Sequence, residues 1–199
     1  MRKPKLSRIL ATLAAATLAA LGAVAVNPAP ASAAVRNVCY NISQAGPFAN
    51  TAVQAAAIWN NYTNNINMAQ CGSNLRITYT YGGGSYAQRT SLGNGRVVID
   101  YNQAQQYSAL RIMTHEIGHI LGLPDNYNGN CAILMSGGSA GTSCTNPYPS
   151  SAEASRVDSL FGFAARSATP AQVFTGSWPA AATVGAQRLS HGRSRDATA

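Results

Sequence analysis

The chain has 199 residues, 46% of them hydrophobic and 10% charged, with 14 lysines and arginines against 6 acidic residues. Four of the cations, Arg2, Lys3, Lys5 and Arg8, lie in the first 33 residues, and without them the net charge falls from +8 to +4 and no lysine remains. The remaining arginines are scattered, which excludes the clustered basic patch that a nucleic-acid partner needs and describes a mildly basic solvated surface.

Residues 1–33 read as a secretory signal peptide. A charged start precedes an apolar run over residues 9–26, and Ala31-Ser32-Ala33 supplies a small-residue cleavage site. A membrane-spanning helix fits less well, because the run is mostly alanine and leads into Pro-Ala-Pro-Ala-Ser-Ala-Ala without a charged stop. The mature protein is therefore expected outside the cell with no membrane partner. Residues 34–166 suffice for one core of ordinary size. Residues 167–199 are rich in Ala, Thr, Ser, Pro and Arg, with Phe174 and Trp178 the only aromatics, and read as a disordered tail, a short docked segment being the alternative. His191 in that tail reads as solvated.

In chain order, residues 36–42 predict a strand that stops at Gly46-Pro47. Ala55, Ile58, Trp59, Tyr62 and Ile66 recur at helical spacing and predict a helix over 50–65. Leu75, Ile77, Tyr79 and Tyr81 alternate with polar residues as a strand with one buried face, broken by Gly82-Gly83-Gly84. After a turn at Gly93-Asn94-Gly95, residues 96–101 predict another strand. A helix over 106–121, a long loop and a helix over 151–161 complete an α+β pattern of a small sheet with helices packed on it.

Cys39, Cys71, Cys131 and Cys144 all lie in the exported part, where oxidation is expected. Four cysteines allow three pairings. Cys131 with Cys144 is favoured, since they flank one glycine-rich loop whose closure is worth about 3 kcal/mol in the chain-entropy model. Cys39 with Cys71 follows by elimination. A cysteine-and-histidine zinc site would compete, but the paired C-x-x-C spacing of structural zinc is missing.

The stretch T-H-E-I-G-H-I-L-G-L-P-D-N-Y, residues 114–127, carries the chemistry. On a helix, Leu110, Met113, Ile117, Ile120 and Leu121 share one stripe, while His115 and His119 lie opposite, about 6 Å apart along the axis. Imidazoles at that spacing can share one tetrahedral metal ion. Glu116, rotated away from the histidines, is placed to act as general base on a zinc-bound water, the H-E-x-x-H arrangement. Gly122 can end the helix in a left-handed conformation and Pro124 forbids its continuation, so the return would carry Asp125 to the same metal as third ligand. Two alternatives stand beside this. Asp125 could bond its own backbone in a plain turn, or Glu153 could be the third ligand, although Ser150-Ser151-Ala152-Glu153 after Pro149 gives that glutamate a capping box to close.

H-E-x-x-H-x-x-G-x-x-D followed by a methionine turn resembles the metzincin zinc proteases, whose usual third ligand is histidine, and with aspartate there it is similar to the snapalysin family of small secreted bacterial neutral proteases. "HILGLPDNY", "LMSGG", "SCTNPYP" and "SRVDSLFG" extend the likeness over residues 34 to about 163. The resemblance implies a metzincin-like α+β domain with a twisted mixed sheet of about five strands, an active-site helix, a first helix packed on the sheet, and a C-terminal helix after the Met-turn. It implies zinc ligands His115, His119 and Asp125, base Glu116, one zinc per chain, Met135 as an apolar floor under the metal, and again the Cys131–Cys144 bridge. Tyr127 is the candidate to hydrogen-bond the oxyanion. The family's acidic calcium ligand before the active-site helix falls on Ser108 here, which speaks against calcium. The first strand starts so soon after Ala33 that little room is left for a propeptide, and the tail runs past the family's usual end.

The expected function is secreted zinc-dependent endopeptidase activity by a monomer on a protein or peptide substrate. The peptide would lie extended along an exposed edge strand, and the resemblance implies an aromatic residue just after the scissile bond. A zinc hydrolase of another amide, or a zinc-containing binding module without catalysis, are the alternatives, and the retained Glu116 argues against the second.

Overall fold

The computed structural model describes residues 34–163 and 170–179, so the expected signal peptide and most of the expected tail lie outside the described residues. Among these residues there are six strands in one sheet, ordered β2-β1-β3-β5-β4-β6. β1 (Arg36–Gln44) runs parallel to β2 (Ile66–Ala69) and to β3 (Leu75–Thr80), and β3 runs parallel to β5 (Asn94–Asp100). β4 (Tyr86–Ser91) reverses direction against β5, and β6 (Gln172–Phe174) is antiparallel to β4. The expected mixed α+β architecture is thus present, with one strand more than expected.

Helix α1 (Ala49–Tyr62) packs against the active-site helix α3 (Ala109–Ile120), and α3 lies on β4 and β5. A short helix α2 (Tyr101–Ala104) joins β5 to α3, and α4 (Ser151–Phe163) follows the long loop. The core between sheet and helices is built from Leu75, Ile77, Val97 and Ile99 of the strands, with Ile112, Met113, Ile117 and Ile120 of α3, all fully or almost fully buried. Trp59 of α1 is fully buried and donates from Nε1 to the Thr114 carbonyl at 3.0 Å, which fixes α1 against the motif helix.

Several expectations are corrected. α1 ends at Tyr62, because Thr63 adopts an extended conformation and the Asp158 carboxylate accepts from the backbone N–H of Asn64 and Asn65 at 2.7 and 2.9 Å, pulling the chain out of the helix. Ile66, which continues the helical period, therefore starts β2. β4 was hidden in the sequence because one of its inward positions is Arg89, whose side chain is buried and donates to the His119 carbonyl at 2.8 Å. Tyr79 of β3 and Tyr81 just beyond it are exposed, unlike Leu75 and Ile77. The two rings pack edge-on to one another, with Phe48 and Tyr101 beside them. The motif helix begins at Ala109, capped by Ser108.

Over residues 170–179 the chain is strand and loop seated on the domain, the docked-segment alternative for the tail, and the rest of the tail lies outside the described residues. The free edge of β4 offers unpaired backbone groups, and β6 satisfies them. Both disulfides form, Cys39–Cys71 and Cys131–Cys144. The first ties β1 to the β2–β3 connection, and the second closes the loop that follows the motif helix.

Candidate active site

α3 ends in a way that places three donor atoms together. Gly122 has φ 103°, its N–H donates to the His119 carbonyl at 3.1 Å, and Leu123 N–H donates to the Gly118 carbonyl at 3.0 Å. These are the two bonds of a Schellman turn, which needs glycine at its left-handed position. The reversal brings the Leu123 carbonyl to 2.9 Å from His119 Nδ1 and carries Asp125 back over the helix. Asp125 Oδ1 lies 3.3 Å from Nε2 of His115 and 3.3 Å from Nε2 of His119, and the two Nε2 atoms are 3.1 Å apart.

The second wall is the loop held by Cys131–Cys144. His115 Nδ1 lies 3.1 Å from the Leu134 carbonyl. Two residues position this loop. Arg111 is buried on α3, and its guanidinium donates to the carbonyls of Asn146 and Ile133 at 2.5 and 3.0 Å and to Ser136 Oγ at 3.0 Å. Glu153 accepts from the backbone N–H of Met135 and Leu134 at 2.8 and 3.2 Å, and from Ser150 N–H and Oγ at 2.7 and 2.8 Å. Its carboxylate is spent on the cap and on the loop. Met135 is buried beneath the helix, and a Cβ added at Gly118 would fall 2.8 Å from its sulfur.

This donor set fits a tetrahedral metal ion. Each imidazole directs Nδ1 at a carbonyl, which makes Nδ1 the protonated nitrogen and leaves a lone pair on Nε2. Two such lone pairs and a carboxylate oxygen at 3.1–3.3 Å repel one another unless a cation lies among them. Metal bonds of about 2.0–2.1 Å in tetrahedral geometry put neighbouring donors about 3.3–3.4 Å apart, which the three distances nearly match. Among the described residues, His115, Glu116 and His119 form a group able to hold a metal.

Glu116 is fully buried, and burial raises its pKa despite the opposing pull of both histidines. Oε1 accepts from Trp178 Nε1 at 2.7 Å, and Oε2 has no hydrogen-bond partner. Burial alone would raise the Asp125 carboxyl too, and only positive charge beside it outweighs that and holds it well below the usual carboxylate range: protons on both Nε2 atoms would do so, and a metal ion among the three atoms would take their place. Tyr127 is half exposed, and its hydroxyl donates to Ser177 Oγ at 3.1 Å, which in turn donates to Asp125 Oδ1 at 3.0 Å.

The model of the Streptomyces extracellular neutral proteinase (M7) family matches residues 34–164 of this chain. The chain belongs to that family. Among its curated relatives, the extracellular small neutral protease of Streptomyces lividans is 44% identical over 137 residues, 67% of this chain and 60% of that protein. The protein of the same name from Streptomyces sp. (strain C5) is 46% identical over 141 residues, 68% of this chain and 62% of the relative. That of Streptomyces caespitosus is 46% identical over 127 residues, 62% of this chain and 96% of the relative. The chain thus spans about three fifths of the first two relatives. No helix among the described residues is long and apolar enough to cross a membrane.

The sequence did not point to Arg111 or Arg89, because an arginine in an amphipathic pattern reads as solvated. It also placed the histidines on an open face. In the M7 domain seen here His115, Glu116 and His119 are fully buried, since residues of the 170–179 segment cover them. Phe174 stacks on the His119 ring at 4.0 Å and Trp178 meets the His115 ring at 5.1 Å. The signal available was that these are the tail's sole aromatics.

Proposed function

We propose that this protein is a secreted zinc-dependent endopeptidase, with His115, His119 and Asp125 as zinc ligands and Glu116 as general base. The observation that carries the reading is the convergence of three donor atoms at 3.1–3.3 Å beside a buried glutamate with one unpartnered oxygen. Membership of the M7 family and relatives named as extracellular neutral proteases support it.

A bound zinc ion supplies Lewis acidity, bringing the pKa of a water to about 7 and polarising the scissile carbonyl. Glu116 takes the proton of the attacking water on Oε2 and passes it to the leaving amine. Tyr127, whose hydroxyl meets Ser177 here, donates to the developing oxyanion when substrate takes that place. The substrate backbone lies antiparallel along the edge of β4 that β6 occupies here, an edge that reads chain rather than side chains. A buried slot between Tyr107, His115 and Glu116 accommodates an indole, as Trp178 demonstrates, which supports an aromatic residue just after the scissile bond.

Metal analysis and casein digestion test the reading. About one zinc per chain is expected, with digestion abolished by a chelator and restored by zinc, and Glu116→Ala should keep the metal while losing activity. Digestion that survives chelation, a chain that takes up no zinc, or an unimpaired Glu116→Ala variant would reject it.

A further inference from the structure

Residues 170–179 lie beyond the stretch that the family model matches, which ends at residue 164, and the Streptomyces caespitosus relative is 96% covered by 127 residues. The segment is therefore an addition to a domain that exists without it. Yet it contacts every proposed catalytic group. Phe174 covers His119, Trp178 engages Glu116 and faces His115, and Ser177 bonds Asp125 and Tyr127.

Its main chain is held as a peptide substrate would be. β6 pairs antiparallel with the edge strand β4, Phe174 opposite Ala87 and Val173 opposite Gln88. Beyond the strand, successive carbonyls are captured: Ser177 O by Gly138 N–H at 2.7 Å, Trp178 O by Gln103 Nε2, and Pro179 O by the Tyr107 hydroxyl at 2.7 Å. Gly137 and Gly138 leave the room for this approach, because a Cβ on either would fall 2.9 Å from the Ser177 carbonyl oxygen. Extended backbone pairing followed by carbonyl capture binds a chain with little regard to its side chains, and the aromatic slot beside Glu116 adds the one side-chain preference.

We propose that residues 170–179 are an intramolecular stand-in for substrate, seated in the peptide groove and keeping the site closed until the segment leaves it. What the groove is for rests on the peptidase reading above; the closure does not. A tethered segment acts at an effective concentration on the order of millimolar. If the free peptide binds with a Kd of about 10 μM, about 99% of chains are closed, and opening raises rates about 100-fold.

The full-length chain and its Phe174→Ala/Trp178→Ala variant, both zinc-loaded, are compared in three measurements: zinc transfer to a chelator, anisotropy of a labelled synthetic peptide of residues 170–179, and hydrolysis of a fluorogenic peptide. The variant should release zinc and hydrolyse peptide about 100-fold faster and bind the labelled peptide, while the unlabelled peptide restores slow rates. Because these aromatics also help fill the core, Gln88→Cys/Val173→Cys joins register partners without removing them. Oxidised, it should lose the residual activity of the wild type, and mild reduction that leaves the wild type unaltered should return it. Equal rates in wild type and variant, or a cross-linked chain as active as wild type, would overturn the closure. Faster zinc release and peptide binding without hydrolysis would uphold the closure and overturn the peptidase reading.

Discussion

Trp178 Nε1 donates a 2.7 Å hydrogen bond to Glu116 Oε1, so an indole from beyond the family domain holds the carboxylate proposed as base. The second oxygen, Oε2, is left without a partner in a fully buried position. Glu116→Gln keeps the size and polarity of the side chain but removes the proton carrier. In the background of Phe174→Ala/Trp178→Ala, where the segment cannot mask the effect, kcat should fall at least about 100-fold with zinc still near one per chain. Loss of zinc together with activity would instead make Glu116 part of the metal's binding set.

Asp125 is the finer point of the metal assignment, since its Oδ1 stands 3.3 Å from both ring nitrogens and, among the described residues, no lysine or arginine pairs with it. Removing groups that only orient a ligand costs about 10–100-fold in metal affinity, so removing a ligand should cost more. Asp125→Ala should lower zinc affinity more than about 100-fold in a competition titration against a chromophoric chelator, with the helix content unaltered. Zinc held as tightly as in the wild type would sink the assignment and leave Asp125 as a turn residue.

The sequence made the motif helix and its end legible because the chemistry is local. His115, Glu116 and His119 sit on one helix, and Gly122 and Pro124 set the turn that returns Asp125. What it hid was nonlocal. Arg89 and Arg111 look solvated in a linear pattern, but their guanidinium groups are buried and donate to carbonyls 20 to 35 positions away. Ile66 kept a helical period that Thr63 and Asp158 had already ended. Residues 170–179 carry a tail's composition, and their order comes from the edge of β4 and from the cleft, neither of which is written in the segment itself.

Gly118 lies between the two histidines where α3 meets both Met135 and Trp59. An added Cβ would be 2.8 Å from Met135 Sδ and 3.2 Å from Trp59 Cζ2. Gly118→Ala should therefore destabilise by about 1–3 kcal/mol through overpacking, outweighing any gain in helix propensity. Met135→Ala alone should cost about 2–5 kcal/mol as a cavity. The new methyl can use that cavity, so the double variant should be more stable than the sum of the two by about 1 kcal/mol or more. Strictly additive denaturation energies would show that Met135 does not pack on Gly118.

Glu153 offers a contrast with Asp125, since it was the competing third ligand and turns out to hold structure. Its two oxygens accept four hydrogen bonds, two that close the start of α4 through Ser150 and two that hold Leu134 and Met135 in the loop under the metal site. Glu153→Ala removes a helix cap, worth about 1 kcal/mol, and leaves loop N–H groups without acceptors at about 1–3 kcal/mol each if they stay dry. A loss of about 2–4 kcal/mol in urea denaturation is expected. The zinc stoichiometry should stay near one per chain, because the carboxylate is committed to the backbone on which His115 leans through the Leu134 carbonyl. Zinc affinity should weaken by about 10-fold, as for loss of an orienting contact, rather than collapse. An apo protein of wild-type stability would be the opposite result, and would return Glu153 to the metal.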